Sequence, residues 1–550
     1  MRVRRGNPHL LLFIGLAGGC AAPHELRPTL TDDVERPASG ALIFFADGLD
    51  ARRLDELLAR GELPHVQKRF IEGGLRVEHA IASLPPITYP NAVSLLTGVH
   101  PGHHGIVGNQ WFDRRTLRFQ DYSSAATYRA VNEDFRAATL FEILADDFTV
   151  SIQSHTRRGA VYTFDRMVES GIDWFFGRYR EVDERVGKRF VDLIPLAEGV
   201  RRWPRVVLTY FPGIDQTGHV HGSASPAYEE AIRNLDRQIG RIAGVLDALK
   251  LSDRIYLVLV TDHGHVATGH GRRFDLARWL TSKHGLRSYT IRDRRRELRI
   301  DESYVALLNR LDSYDAALIT GAFRSAMIHL RGRRGWSYPV GPEESRRLAE
   351  AAPRLVDEPA VEAVLTRDGP ARVRLNARGG SAVLEGRHQG GDAFYRVAEL
   401  CGNPLGFREN PAISALLDDD WHASRTWLAA SAASNHPDFV PQAVEMFDST
   451  RTGDVVVFAA DDWSFDASDI SGHGSCLSAD MHIPLYFAGP DVPRGATLPF
   501  ARLVDVMPTI LDFLGELHRL ERNGVIDGVS LRAEILRAGE DQAAGVQSPS

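Results

Sequence analysis

Apolar runs without polar interruption punctuate this chain at long intervals. They are Ala41-Leu-Ile-Phe-Phe-Ala46, the stretches Arg205–Phe211 and Arg254–Thr261, and, nearer the C-terminus, Asp454–Ala460 and Ile483–Ala488. Such runs suit strands buried on both faces, as in a parallel sheet covered by helices. Between them the period lengthens. Ile232, Leu235, Ile239, Ile242, Leu246 and Leu249 recur at helical spacing across Ala227–Lys250. Helices are also predicted over Arg52–Arg60, Leu140–Asp146 and Val504–Leu514. Strands alternating with helices predict an α/β fold with a mixed, largely parallel central sheet and helices on both faces.

From about 270 the pattern changes. Helical pieces (Asp275–Lys283, Glu343–Ala352, Ala412–Leu417) mix with strand-like ones (Val361–Leu365, Ala371–Leu375, Ala382–Leu384), several joined by glycine-rich turns. Residues 270–453 are therefore expected to form an inserted α+β cap subdomain. It would divide a catalytic core into a first part, 40–269, and a second part, 454–536. The closing residues 537–550 are rich in Ala, Gly, Gln and Ser and read as a disordered tail.

The N-terminus has its own signature. Arg2, Arg4 and Arg5 precede Leu10-Leu-Leu-Phe-Ile-Gly-Leu-Ala, then Gly18-Gly-Cys20. The run is too short to span a bilayer and reads as a signal-peptide core. Small residues before Cys20 resemble a bacterial lipobox, with Ala17 where leucine is commoner. Residues 1–20 are thus read as an export signal with lipidation on Cys20, and 21–39 as a polar, Pro-containing tether. The expected location is the cell envelope, with a lipid anchor as the only membrane attachment. The whole chain has 550 residues, 43% of them hydrophobic and 25% charged, with a net charge of -7. That is enough for a substantial core, and it argues against nucleic acid held by charge. No protein partner is predicted. Three cysteines, Cys20, Cys401 and Cys476, exclude a disulfide framework, although two of them could pair.

Candidate chemistry begins at Pro85-Pro-Ile-Thr88-Tyr-Pro-Asn91. Pro90 fits a first helical turn, so Thr88 sits near the positive end of a helix dipole, where an anion is favoured. Alone, Thr88 reads as an ordinary N-cap. The strand ends change that. Asp47 follows one run, Asp215 and His219 a second, Asp262 and His263 a third, and His473 lies in the loop after a fourth. Carboxylates and imidazoles together suit Zn2+, and also Mn2+ or Fe2+. Six such donors exceed one tetrahedral ion and match a two-metal site for in-line displacement at phosphorus. Without a metal, converging buried carboxylates and imidazoles would repel or stay unpaired.

In order, Asp47-Gly, Thr88-Tyr-Pro-Asn, Thr97-Gly, His104-Gly-Ile, Asn109, Asp215-x-x-x-His219, Asp262-His263-Gly and His473-Gly resemble the alkaline phosphatase superfamily. Within it they are most similar to the nucleotide pyrophosphatase/phosphodiesterase family. The likeness covers about 40–265 and 454–515. It implies two divalent ions, zinc by preference: one on Asp47, Thr88, Asp262 and His263, the other on Asp215, His219 and His473. It implies Thr88 as nucleophile, a phospho-threonine intermediate, and Asn109 as donor to a non-bridging phosphoryl oxygen. The expected activity is phosphodiester or pyrophosphate hydrolysis of a small phosphate ester such as a nucleotide.

The sequence departs from the family in Ala92-Val-Ser after Asn91, in His265 after Asp-His-Gly, and in His221 close behind His219. His103, His104, His265 and His270 are left outside the predicted ligand set. A phosphomonoesterase of the same superfamily is the nearest alternative. A catalytically dead, lipid-anchored binding protein is the other. A sulfatase would need Cys or Ser before x-Pro-x-Arg, where Thr88-Tyr-Pro-Asn stands.

Overall fold

The computed structural model describes residues 28–546 except 125, 165–166, 269–271, 292–303, 322, 342–351, 467–469, 523 and 525. The expected export signal with Cys20, His270, all but the last residue of the expected helix Glu343–Ala352, and 547–550 lie outside the described residues.

The strand Gly40–Ala46 lies at the centre of the first sheet. It runs parallel to Val206–Phe211 on one side and Ile255–Val260 on the other. Its side chains alternate between two apolar clusters, as a period of two requires. Leu42, Phe44 and Ala46 meet Leu54, Ile232, Leu235 and Ile239 from the helices Ala51–Ala59 and Pro226–Ala248. Ala41, Ile43 and Phe45 meet Leu95, Leu96, Ile510 and Leu511 from the helices Thr88–Thr97 and Val506–Phe513. Helices thus cover both faces, and Phe44→Ala would cost about 3–5 kcal/mol. Beyond Val206–Phe211 come Thr149–Ile152 and Tyr162–Phe164, both parallel. On the other flank Leu485–Ala488 runs antiparallel to Ile255–Val260 and to Gly74–Ile81. Ala496–Arg502 then pairs parallel with Gly74–Ile81.

A second, mostly antiparallel sheet occupies the inserted region. Val361–Gly369, Arg372–Ala377, Gly380–Gln389 and Asp392–Gly402 form a meander. Trp427, Val440 and Val444, from the helices Ser424–Ser431 and Phe439–Met446, pack against its Leu375, Leu384 and Tyr395. Val455–Ala459 also belongs to this sheet, antiparallel to both Ser325–Leu330 and Val361–Gly369. The chain therefore re-enters the first sheet at His482 rather than at 454. An apolar run buried on both faces satisfies either sheet equally, and the ladder with Ser325–Leu330 captures it.

Other expectations shift as well. Residues 28–39 are not a free tether, because Val34 inserts into the apolar cluster beneath Trp203, and Trp203 donates its backbone N–H to the Glu35 carbonyl at 2.8 Å. The described part of the expected disordered tail, 537–546, is instead the continuation of a helix, Arg532–Val546, anchored by buried Leu531 and Ile535. Leu140–Asp146 contracts to the turn Leu140–Ile143, closed by a Thr139/Glu142 capping box. Cys401 and Cys476 are both free, one exposed and one buried. Among the described residues no helix is long and apolar enough to cross a membrane.

Candidate active site

Strand direction gathers the site. Gly40–Ala46, Val206–Phe211, Ile255–Val260 and Gly74–Ile81 all finish at one edge of the first sheet, where α/β folds form their clefts. Leu485–Ala488 is antiparallel to its neighbours, so it starts at that same edge. The loop leading into it delivers His473 there. All seven predicted ligands and Asn109 meet within this region.

Thr88 is the first residue of the helix Thr88–Thr97, with Ile87 in the cap position. Thr88 is thus inside the helix rather than its cap. Asn91 explains the turn before it. Its side-chain amide donates to the carbonyls of Ser83, Pro85 and Ile87 at 3.0–3.1 Å, and its carbonyl accepts from Ser83 N–H at 2.7 Å. The loop that aims Thr88 is therefore fixed by one buried side chain.

Asp47, Asp262 and His263 form one donor group. His263 Nε2 lies 3.2 Å from Thr88 Oγ1, 3.4 Å from Asp47 Oδ1 and 3.5 Å from Asp262 Oδ2. The far oxygens are engaged: Tyr210 donates its hydroxyl to Asp47 Oδ2, and Gly48 N–H and Thr261 Oγ1 donate to Asp262 Oδ1. Asp47 Oδ1 and Asp262 Oδ2, facing the histidine, are buried without a hydrogen-bond partner. Burial and the neighbouring Asp262 and Asp215 carboxylates raise the Asp47 carboxyl well above its usual range. Such a charge pattern calls for a cation.

Asp215 centres the second group. His219 Nε2 is 3.2 Å from Asp215 Oδ2, and His473 Nε2 is 4.0 Å from Asp215 Oδ1. The His263 and His473 rings stack with centroids 3.5 Å apart. Burial opposes ionisation of Asp215, but His219 and His265 hold its carboxyl well below the ordinary value. His473 is pushed well below normal by burial and then by His263, which keeps it neutral.

One feature is common to all three predicted histidine ligands. Nδ1 of His263, His473 and His219 faces a backbone carbonyl, of Gly264, Pro86 and Ser471, at 3.0–3.1 Å. A carbonyl can only accept, so Nδ1 carries a proton, and Nε2 is the nitrogen turned inward. This is how ligating imidazoles are oriented for a metal. Together with the orphaned carboxylate oxygens, the donor set fits divalent cations.

Asn109 accepts the Tyr89 backbone N–H on Oδ1 at 3.0 Å. Its donor end, Nδ2, is thus left for the cavity that Asn109 lines. That cavity measures about 1260 Å³. Asp47, Thr88, Asp215, His219 and His473 open into it, with aromatic walls from Tyr89, Tyr128, Trp174, Phe323 and Phe465. Arg273 is the one Lys or Arg among its described lining residues. The inserted region supplies part of the wall through Ser288, Thr290 and Ile291.

Sequence reasoning left out three contributors. His265 donates from Nδ1 to Asp215 Oδ1 at 3.0 Å, and its Nε2 lies 2.7 Å from Ser471 Oγ. Its position after Asp262-His263-Gly was the signal. Tyr210 is the penultimate residue of a buried strand, which by itself signals nothing. Gly48 has φ +62°, and a Cβ there would lie 2.6 Å from Asp215 Oδ1, so the close packing of Asp215 needs glycine. His104 is structural: it bridges Ser94 Oγ and the Ile106 N–H, and burial holds it down at about 3. His221 is exposed at its helix end.

A family model described as Type I phosphodiesterase / nucleotide pyrophosphatase matches residues 41–475, most of the chain. An uncharacterized pyrophosphatase/phosphodiesterase of Schizosaccharomyces pombe is 26% identical over 272 residues, which are 47% of this chain and 52% of that one. Human ectonucleotide pyrophosphatase/phosphodiesterase family member 5 is 26% identical over 231 residues, 40% of this chain and 45% of that one. The matches thus span about half the length of these curated relatives. Solved murine ectonucleotide pyrophosphatase/phosphodiesterase 5 superimposes with a TM-score of 0.55 at 15% identity, covering 91% of this chain and 100% of that one. At such identity the likeness speaks for the fold.

Proposed function

Because the chain belongs to the Type I phosphodiesterase / nucleotide pyrophosphatase family, we propose that it is a metal-dependent hydrolase of phosphodiester or pyrophosphate bonds, with Thr88 as nucleophile. The observation that carries this reading is the position of Thr88 Oγ1. It lies 3.2 Å from His263 Nε2, at a helix N-terminus, on the wall of a cavity where buried carboxylate oxygens have no partner.

Asp47, Thr88, Asp262 and His263 would hold one divalent ion, and Asp215, His219 and His473 another, with zinc suited to this nitrogen and oxygen set. When bound, the ions supply positive charge that lowers the hydroxyl pKa and offsets charge on the reacting phosphate. Thr88 Oγ1 forms a bond to phosphorus while the bond from phosphorus to the leaving oxygen breaks, and the hydroxyl proton passes to that leaving oxygen. The helix dipole favours the anion at that position. Asn109 Nδ2 donates to a non-bridging oxygen, where charge must be stabilised. Water then cleaves the phospho-threonine, its hydroxyl bonding to phosphorus as the P–Oγ1 bond breaks and its proton going to Oγ1. Tyr210 keeps Asp47 oriented throughout.

A diester suits the wall better than a monoester. The monoester's additional charge calls for extra cationic donors, and Arg273 is the one guanidinium among the described lining residues. Aromatic walls fit a base or another flat leaving group. An inactive variant of the murine relative was solved with AMP, which makes a nucleotide ester the first natural candidate. Export, with cleavage and lipidation at Cys20, is part of the same reading. It rests on the N-terminal signature and accords with relatives named as ectoenzymes.

The test compares bis-p-nitrophenyl phosphate with p-nitrophenyl phosphate, with and without chelation, and with Thr88→Ala as control. Chelator-sensitive hydrolysis of the diester, lost in Thr88→Ala, is expected. Activity on neither ester with no metal bound would refute an enzyme. A monoester preference of about two orders of magnitude, roughly 2.7 kcal/mol, would refute the diester assignment.

A further inference from the structure

A second gathering of donor atoms lies away from the Thr88 cavity, on the helical turn Pro101–His104. His103 Nδ1 lies 2.9 Å from both Asp527 carboxylate oxygens. On the other side of the ring, His103 Nε2 meets Glu445 Oε2 at 2.5 Å and Asp448 Oδ2 at 3.1 Å. His388 Nε2 comes to 3.7 Å from Glu445 Oε1. One donor atom each from His103, His388, Glu445 and Asp448 lies within 4.8 Å of the others. They come from three separate elements: the turn, the strand Gly380–Gln389, and the helix Phe439–Met446 with the residues just after it.

Glu445 distinguishes this cluster from a solvated ion pair. It is 3% exposed, and its Oε2 makes no well-aligned hydrogen bond, its close neighbour being the His103 imidazole at 2.5 Å. A buried anionic oxygen needs positive charge beside it, which a protonated His103 or a metal ion on its Nε2 can supply. The same signature marks Asp47 Oδ1 and Asp262 Oδ2 beside His263. His103 is also prepared as a ligand. Asp527, itself fixed by the His100 backbone N–H at 2.6 Å, accepts the hydrogen bond of Nδ1–H and so turns Nε2 toward the cluster. Carboxylate–imidazole pairs of this kind orient metal ligands. Gly102 lets the turn seat on the helix, since a Cβ there would lie 1.8 Å from the Glu445 carbonyl oxygen.

We propose that His103, His388, Glu445 and Asp448 bind one divalent cation of the zinc or manganese class, distinct from the ions of the Thr88 site. Two imidazole nitrogens and two carboxylates match that class, and exposed His388 and Asp448 give it access. A proton is the competing occupant. Burial disfavours charge on His103, but Asp448, Asp527 and Glu445 push it up to about 12, so His103 is protonated whenever no cation is present. A cation here would tie the turn between Thr88 and Asn109 to the second sheet.

The test uses the full chain with Asp47→Asn and Asp215→Asn, which removes one carboxylate from each ligand set of the Thr88 site. Stripped protein is titrated with Zn2+ and with Co2+. Ion content is read by mass spectrometry, the ligand field by visible absorption and stability by melting. We expect one ion per chain and a metal-dependent rise in melting temperature. His388→Ala with Asp448→Asn, both exposed changes compatible with folding, should weaken binding at least about 100-fold and abolish the rise. In the wild-type background the same pair should lower ion content by one. Absence of binding, or binding unchanged by the pair, overturns the proposal. None of these readouts uses catalysis, so a chain that hydrolyses no ester but keeps this ion refutes the proposed function alone.

Discussion

Asn109 offers the sharpest test of how the site handles phosphoryl charge. Its Oδ1 is committed to the Tyr89 N–H at 3.0 Å, so only Nδ2 can serve a substrate oxygen. Two roles are therefore separable: a donor to the phosphoryl group, and an acceptor that steadies the residue after Thr88. Asn109→Ala removes both. Asn109→Asp keeps the acceptor but sets an anionic oxygen where the donor stood. A donor to a developing oxyanion contributes about 2.7–4 kcal/mol, and the Tyr89 bond about 1 kcal/mol. Asn109→Ala should therefore lower kcat about 10²- to 10³-fold with KM changed only a few-fold. Asn109→Asp should fall further, because its charge repels the phosphate. The assay is diester hydrolysis at saturating metal, with melting temperature confirming the fold of each variant. If Asn109 only braced Tyr89, aspartate would rescue what alanine loses. Asn109→Asp matching or exceeding Asn109→Ala in kcat would refute the donor role.

Three further outcomes follow from the same geometry. Gly48→Ala drives a Cβ to 2.6 Å from Asp215 Oδ1 at a φ of +62°, so diester kcat/KM should drop at least about 10²-fold through displacement of Asp215, an effect of about 2.7 kcal/mol; activity within threefold of wild type would show that the contact relaxes freely. Asp47→Asn should change sign with metal: in chelated protein it relieves burial and repulsion by Asp262 and Asp215 and leaves melting unchanged or higher, whereas with metal it lowers melting by the ion binding lost, about 3–4 kcal/mol when metal is well above its Kd, and equal effects in both conditions would count against cation binding at Asp47. Asp183 is raised to about 8 by burial, only partly offset by the Gly213 N–H, so its folded pKa exceeds its unfolded one; its contribution is complete below about pH 4 and is lost as pH rises through about 8. Asp183→Asn should thus melt a few degrees higher at pH 8 and near wild type at pH 4, as calorimetry at the two pH values would reveal.

Legibility in the sequence followed burial geometry. Gly40–Ala46, Val206–Phe211 and Ile255–Val260 are covered on both faces, so their polar punctuation fell where the strands end, and Asp47, Asp215 and Asp262 stood out. Gly74–Ile81 was missed because Glu78 is exposed and Arg76 and His79 half-exposed, which breaks the apolar run of a strand equally essential to the edge. Val455–Ala459 was found but assigned to the wrong sheet, since burial on both faces does not name the partner strand. Gln442 was invisible for another reason. From 358 residues away it accepts the Leu84 N–H at 2.6 Å, and its Nε2 donates to the Ala82 carbonyl at 3.2 Å. Nothing local in Phe439–Met446 announces that its helix steadies the loop before Thr88.

That long-range bracing explains why a nearly buried site can hold so much uncompensated charge in one geometry. The loop carrying His473 is gripped from both sheets. Asp480, fully buried, takes the Arg324 guanidinium through two bonds at 2.9 and 3.2 Å and the Ser475 N–H at 3.1 Å. Its carbonyl accepts the Gly264 N–H at 2.8 Å, one residue past His263, while the Arg324 N–H donates to the His473 carbonyl at 3.2 Å. Arg324 begins the turn into a second-sheet strand, Gly264 follows a first-sheet strand, and Asp480 joins them. The stacked rings of His263 and His473 are thus held by one buried ion pair spanning the two sheets. Breaking it by removing a single partner would leave a buried charge at a cost of about 3–5 kcal/mol and loosen both histidines together. The second sheet is therefore part of the framework of the edge that carries the candidate metal ligands, as well as one wall of its cavity.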